Sequence, residues 1–254
     1  MVIIMLKTRI IPILLLKGSS VVKTINFENS RVVGDAVTNV KVFSTRMADE
    51  MVIVDIEANQ FGRINFPLIK RLASQCVMPI TIGGGVSSLE DAEQLFRSGA
   101  DKVLINSHFY INPLLLSQIA KIYGNQSVVF SLDVKRINGN YIAVKNSGTE
   151  LTEYSAIDAA VLAVEKGAGE IILNSIDNDG LMKGYDLELI SSIASSVNVP
   201  VVAAGGCGSK EDCVLAIKSG ASAVSAGSVF HWVGESIISL KEFMQSKGIE
   251  VRLL

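Results

Sequence analysis

Charge is scarce in this chain. Asp, Glu, Lys and Arg make up 19% of its 254 residues and nearly cancel, at a formal net charge of -2. That excludes the basic footprint of a nucleic-acid binder and also an acidic tail. Histidine is scarcer still, with His108 and His231 alone, too few for a histidine-rich metal site. The three cysteines, Cys76, Cys207 and Cys213, follow no metal spacing. Free thiols in a reducing cytoplasm are the simple reading, with no metal and no cofactor implied. No apolar run approaches the roughly 20 residues that span a bilayer. Lys7 and Arg9 ahead of the apolar stretch 10–16 imitate a short signal peptide. That stretch contains Pro12 and leads into Lys17-Gly18-Ser19-Ser20 without a small-x-small cleavage site, so a buried first strand is expected.

What remains is a chain rich in core material, 49% hydrophobic, with a mean hydropathy of +0.41. Candidate strands cover 9–16, 51–56, 79–83, 102–106, 127–133, 170–174, 200–204 and 223–227. Most are continuous apolar runs, as parallel strands covered on both faces require. Helical patterns fill the gaps, clearest over 89–98, 157–166, 187–196 and 210–219. Eight βα units without a long linker predict an α/β fold, a closed TIM (β/α)8 barrel, as one domain over 1–254.

The chain also repeats itself. Ser88-Leu89-Glu90-Asp91 recurs as Ser209-Lys210-Glu211-Asp212 at an offset of 121 residues, each reading as a helix N-cap with a carboxylate three residues on. Both helices end in Gly-Ala, at Gly99 and Gly220, again 121 apart. Gly83-Gly84 matches Gly205-Gly206 at 122, and Glu50 matches Glu170 at 120. Two pseudo-symmetric half-barrels of four units each are expected.

Glycine-rich strand ends come in two matched pairs. Gly83-Gly84-Gly85 stands with Asn106-Ser107, and Gly205-Gly206 with Ala226-Gly227-Ser228. Glycine lets backbone approach an anion, and neighbouring N–H groups and a helix N-terminus supply the field. One such pair is weak evidence, since turns also need glycine. Two in register with an internal repeat predict two phosphate corners and a ligand phosphorylated at both ends. Asp179-Gly180 after the sixth strand reads equally as a ligand contact or a plain turn.

These residues resemble the cyclase subunit of imidazole glycerol phosphate synthase over essentially the whole chain. The matching stretches include Arg9-Ile10-Ile11, Ile80-Thr81-Ile82-Gly83-Gly84-Gly85, Asp133-Val134-Lys135-Arg136, Ser175-Ile176-Asp177-Asn178-Asp179-Gly180 and Ser228-Val229-Phe230-His231. The resemblance implies a barrel that takes ammonia from a glutaminase subunit and uses it on a bisphosphorylated substrate, with aspartates ending strands one and five as general acid and base. Asp133 matches the second of these. The first position holds Leu15, and the internal repeat gives the same answer, since Lys17 pairs with Lys135 at an offset of 118 and Leu15 thereby faces Asp133. Leucine transfers no proton. The family's charged ring that gates ammonia at the barrel floor is matched by Arg9, Glu50, Lys102 and Glu170, which read otherwise as a salt-bridged plug. Asp101 matches a residue on the glutaminase-facing surface.

A complete gate with an altered catalytic end is similar to a sub-branch, the acetamidino-modification synthase-like proteins of surface-polysaccharide clusters. Pro12-Ile13-Leu14-Leu15-Leu16-Lys17 and Val21-Val22-Lys23-Thr24 carry that likeness. It implies a glutaminase partner, a sugar amidotransferase and a nucleotide-linked sugar, with no nucleic acid and no membrane involved. A working cyclase and a scaffold that only activates its glutaminase remain as alternatives; a sugar-phosphate isomerase would also want an acid at position 15. Lys17 and Lys23 flank a Gly-Ser-Ser segment that reads as a mobile lid or a solvated loop. Asp133 reads as functional against a helix cap or a salt bridge to Lys135 or Arg136. Asp55 reads as a polar group of the mouth, His231 as structural and His108 as a surface loop residue.

Overall fold

A computed structural model describes residues 7–58, 62–233 and 236–253. Its strands, in chain order, are β1 (Arg9–Lys17), β2 (Ser20–Ile25), β3 (Glu28–Asp35), β4 (Met51–Asp55), β5 (Ile80–Gly83), β6 (Lys102–Ile105), β7 (Val128–Ile137), β8 (Asn140–Lys145), β9 (Glu150–Ser155), β10 (Glu170–Ser175), β11 (Val201–Ala204) and β12 (Ala223–Ala226). The helices are α1 (Ala36–Thr45), α2 (Phe66–Ala73), α3 (Leu89–Arg97), α4 (Leu114–Tyr123), α5 (Ala156–Glu165), α6 (Leu187–Ser196), α7 (Lys210–Lys218) and α8 (Ile237–Ser246).

Eight strands, β1, β4, β5, β6, β7, β10, β11 and β12, pair in parallel all the way round. The circle closes where Arg9 to Pro12 pair with Ala223 to Ala226, and runs on through Glu170 to Ser175 beside Val129 to Val134. This is a (β/α)8 barrel, and its eight strands fall where the apolar runs place them. The one-domain expectation reaches to both chain ends, outside the described residues.

Two hairpins are additions that the apolar runs do not announce. β1 continues past the barrel to pair antiparallel with β2, Leu15 opposite Val22 and Lys17 opposite Ser20, and β2 pairs with β3. β7 runs to Ile137 rather than ending at Asp133, turns at Asn138-Gly139 with both φ positive, and returns as β8, which pairs with β9. Left-handed φ at both central residues matches the twist of the flanking strands. The segment after β1 is therefore a hairpin rather than a lid loop: Lys17 closes β1, and Lys23 lies within β2, only 7% exposed.

Side chains alternate in and out of the barrel wall. Those pointing out, such as Ile10, Leu14, Ile53, Val103, Phe130 and Leu173, pack under the helices as one continuous core. Those pointing in, among them Ile11, Val52, Leu104, Val129, Ile172, Val202 and Ala223, form a second, separate apolar cluster inside the barrel. The repeat is visible in three dimensions. α3 and α7 each open on a full capping box, Ser88 with Asp91 and Ser209 with Asp212. Gly99 and Gly220 follow those helices at φ of 105° and 106°.

Candidate functional site

At the N-terminal end of the barrel the four expected charges meet. Arg9 bonds Glu50 at 2.8 Å and also Glu170, while Lys102 bonds Glu50 at 2.9 Å and Glu170 at 2.8 Å. Each cation touches both carboxylates, so the floor is a closed square of alternating sign. Burial opposes the charge of Arg9, but Glu170 and then Glu50 more than offset it and its pKa rises. Burial likewise opposes ionisation of Glu170, and Arg9 and Lys102 reverse it, holding that carboxylate below its ordinary value. Glu50 and Asp55 lie an odd number of residues apart, which strict alternation cannot reconcile; Glu50 precedes the first residue of β4 and is free of its pleat. Asp101 is exposed at this end, and its Oδ2 accepts from the N–H of Ile80 at 2.8 Å.

Above the square runs the apolar interior, and above that the barrel opens into a cavity of about 730 Å³. Gly84, Gly85, Asn106, Ser107, Asp133, Asp179, Gly180, Gly205, Gly206, Gly227 and Ser228 all line it, as do Leu15, Lys17, Lys23 and Asp55. The mouth therefore gathers every residue expected there.

Its electrostatics centre on Asp133. Asn106 Nδ2 donates to Oδ2 at 3.1 Å and Ser131 Oγ to Oδ1 at 3.3 Å; Asp133 lies in β7 rather than at a helix N-terminus and has no salt bridge among the described residues. Burial pushes its carboxyl up to about 7, the Ser131 hydroxyl bond acting against that rise and the charge of Asp179 adding to it. Burial also raises Asp179 and Asp55 and lowers Lys23 to about 8. Lys23 Nζ donates to the carbonyl of Ile13 at 2.9 Å, which ties the hairpin to β1. Thr24 Oγ1 donates to Asp179 at 3.2 Å, and the backbone N–H of Asn26 to the Asp179 carbonyl at 3.0 Å.

A pH dependence follows from Asp133. Below an ordinary pKa of 3.8 it is protonated whether the chain is folded or not. Between there and about 7 the unfolded chain ionises while the native one keeps its proton, so stability falls as pH rises across that window and then levels off. Asp133→Asn should therefore melt higher than the unmodified protein at pH 8, by on the order of 2 kcal/mol after screening in the open cavity, and equal it near pH 4. Thermal melts at both pH values check this.

The glycines of the two corners are sterically fixed. A Cβ on Gly84, at φ 99°, would sit 2.1 Å from the Asp55 carbonyl oxygen, and one on Gly206, at φ 105°, 2.2 Å from that of Gly184. Gly84→Ala and Gly206→Ala should each cost about 1–3 kcal/mol in a chemical melt, because the obstructing atoms are backbone. The helix N-termini beside the corners carry the expected capping boxes. Asp91 Oδ2 already accepts from the N–H groups of Ser87 and Ser88, and Asp212 Oδ2 from those of Gly208 and Ser209.

His108 lies in a 3-10 turn, half-buried on the cavity wall, rather than on a surface loop. His231 is packed edge-on against Phe43, and burial, then the charges of Lys23 and Arg46, lower it to about 4. Cys207 and Cys213 are buried free thiols with Sγ atoms 3.5 Å apart. Two residues escaped the sequence reading: Asn174 and Ser225, buried polar side chains that also line the cavity. Their only signal is a polar residue where an apolar run is expected, Asn174 after Ile171 to Leu173 in β10 and Ser225 as the one polar residue of β12. Among the described residues no cluster of three or more His, Cys, Asp or Glu could hold a metal, and no helix is long and apolar enough to cross a membrane.

The family model described as "Histidine biosynthesis protein" matches residues 9–234. The imidazole glycerol phosphate synthase subunit HisF of Chlorobaculum parvum is 42% identical over 251 residues, covering 98% of this chain and 100% of the relative. That of Exiguobacterium sibiricum is 41% identical over 249 residues with the same coverage. A Campylobacter jejuni protein provisionally named imidazole glycerol phosphate synthase subunit hisF2 is 40% identical over 250 residues, again covering 98% and 100%.

Proposed function

Since the chain belongs to the histidine biosynthesis protein family and is HisF-like over its length, we propose that it is the synthase-side subunit of a glutamine amidotransferase. A glutaminase docks at the barrel floor, and ammonia passes the square of Arg9, Glu50, Lys102 and Glu170 and rises through the apolar interior to the mouth. A cytoplasmic setting suits its free thiols. The observation that carries this reading is the pairing of a complete floor with Leu15, which leaves the end of β1 without the acid that would face Asp133 across the mouth. Leucine at that position can neither give nor take a proton opposite Asp133.

The mouth offers a phosphorylated or nucleotide-linked ligand two corners, Gly84, Gly85, Asn106 and Ser107 on one side and Gly205, Gly206, Gly227 and Ser228 on the other, with Asp179 and Gly180 beside them. The setting we favour is acetamidino modification of a nucleotide-linked sugar for surface polysaccharide, in concert with a sugar amidotransferase; it rests on the likeness of residues 10–17 and 21–24. The names of the relatives support a second reading, a working cyclase of histidine biosynthesis. Complementation of a cyclase-deficient strain separates the two: growth supports the cyclase, and no growth the altered role. A non-catalytic scaffold would stimulate its glutaminase whether or not ammonia crosses the floor.

Docking is tested at Val77, which is 86% exposed ahead of β5, whose first residue, Ile80, donates its N–H to Asp101 at the floor end. A glutaminase of the amidotransferase type should co-purify with the chain, and Val77→Glu should weaken binding at least tenfold in calorimetry, since a charge replaces an apolar contact. No binding to any such glutaminase would sink the proposal.

A further inference from the structure

We propose that Asp133, Asn174 and Ser225 form a niche that holds one molecule of ammonia where the apolar interior meets the mouth. The inference rests on the ammonia-conducting reading and deepens it.

The three residues lie in one row. Asn174 is the register partner of Asp133 on β7 and of Ala204 on β11. Ala203 pairs with Val224, and one step further along that register Ala204 stands beside Ser225. Neighbouring strands are about 4.8 Å apart. A methyl group at Ala204 therefore leaves a gap between the amide of Asn174 and the hydroxyl of Ser225.

That gap is lined by unused hydrogen-bonding capacity. Asn174 is 9% exposed and Ser225 1%, yet Asn174 Oδ1 and Ser225 Oγ have no partner among the described residues. A buried polar atom left unpaired costs about 1–3 kcal/mol, and both residues face the cavity. Asp133 is held in place from its far side by Asn106 and Ser131.

The chemistry of these groups favours a donor-rich guest. Asn174 Oδ1 and the Asp133 carboxylate can each accept an N–H, and the Ser225 hydroxyl can donate to a nitrogen lone pair. Ammonia has three N–H groups and one lone pair. Anything arriving from below passes Ile11, Val52, Leu104, Ile172 and Val202, which offer it no side-chain hydrogen bond. Thr81 and Ser131 stand in the same inward-facing rows as Val52 and Ile172, and the Ser131 hydroxyl is already given to Asp133; the niche above them offers two polar atoms left unpaired. At pH 8 Asp133 is mostly ionised, with its pKa near 7, and so serves as an acceptor.

The test uses the full chain carrying aspartate labelled with 13C at Cγ, its Asp133 resonance assigned by loss in Asp133→Asn. At pH 8 ammonium chloride is titrated against tetramethylammonium chloride at equal ionic strength. The resonance is expected to move saturably with ammonium and not with tetramethylammonium, which has no N–H. Ser225→Ala and Asn174→Leu should each weaken the ammonium response at least threefold. Equal responses to the two salts overturn the niche, as does an unchanged response in both variants. If a variant does not fold, the salt comparison on the unmodified protein decides. Glutaminase binding is scored separately. A bound glutaminase with no ammonium-specific response overturns the niche alone, whereas an ammonium-specific response without any glutaminase supports the niche and removes the channel.

Discussion

Leu15→Asp should gain cyclase turnover, by about 10²–10⁴-fold over the unmodified protein, which is what one positioned acid or base typically contributes. The assay supplies excess ammonium salt and the bisphosphorylated imidazole-carboxamide substrate of histidine synthesis, so the barrel's own chemistry is read without any glutaminase. The geometry makes the substitution feasible. Leu15 lies in regular pairing with Val54 on β4 and Val22 on β2, and its side chain faces the cavity rather than the core under the helices. A carboxylate there reaches the open mouth and need not displace packed atoms. Asp133 is already shifted to about 7, near a working pH, so an acid at the end of β1 is the missing element. Unmodified protein turning over like a functional cyclase would overturn the reading of Leu15 and favour histidine synthesis. No turnover in either form would mean that the mouth has diverged in more than its acid.

The second large effect lies at the floor. Lys102→Met leaves Glu50 and Glu170 facing one cation, Arg9, in place of two. The four side chains are only 6–22% exposed, so the surplus negative charge is poorly solvated. Removing one partner from a buried ionic group typically costs about 3–5 kcal/mol, a fall of roughly ten degrees in melting temperature for a chain of this size. Adding Glu170→Gln restores charge balance between Arg9 and Glu50 and should recover much of the loss. A single variant as stable as the unmodified protein, or a double variant no better than the single, would contradict a coupled square. In complex with a glutaminase, Lys102→Met should also leak ammonia to solvent while glutamine hydrolysis continues, an effect a pure scaffold would not show.

Much of the barrel was legible because parallel strands buried on both faces leave unbroken apolar runs, such as Ile10 to Leu16 and Ile171 to Leu173. The capping boxes of α3 and α7 were legible for a similar reason, a local pattern with a local cause. The hairpins were not. β2 turns into β3 through Asn26 and Phe27, both at positive φ, and phenylalanine is no turn signal. β7 turns at Asn138-Gly139, a strong hairpin signal that goes unused when the strand is ended at Asp133. Within the mouth, glycines and charges announced themselves, whereas Asn174 and Ser225 did not. A lone Asn or Ser in a strand acquires meaning only through its register partners and through what fails to bond it.

The square at the floor has one more property. Two positive and two negative groups alternate around it, so their fields cancel within a few ångströms and the entrance presents no sign to the solvent. It can neither concentrate ammonium nor turn away hydroxide at a distance. On the ammonia-conducting reading, discrimination between an ion and a neutral molecule then falls to the largely apolar wall above it, where shedding a hydration shell costs an ion several kcal/mol or more and a neutral one far less. On the ammonia-conducting reading proposed above, the charged residues would set when the passage is open, and the greasy ones would decide what is allowed to be in it.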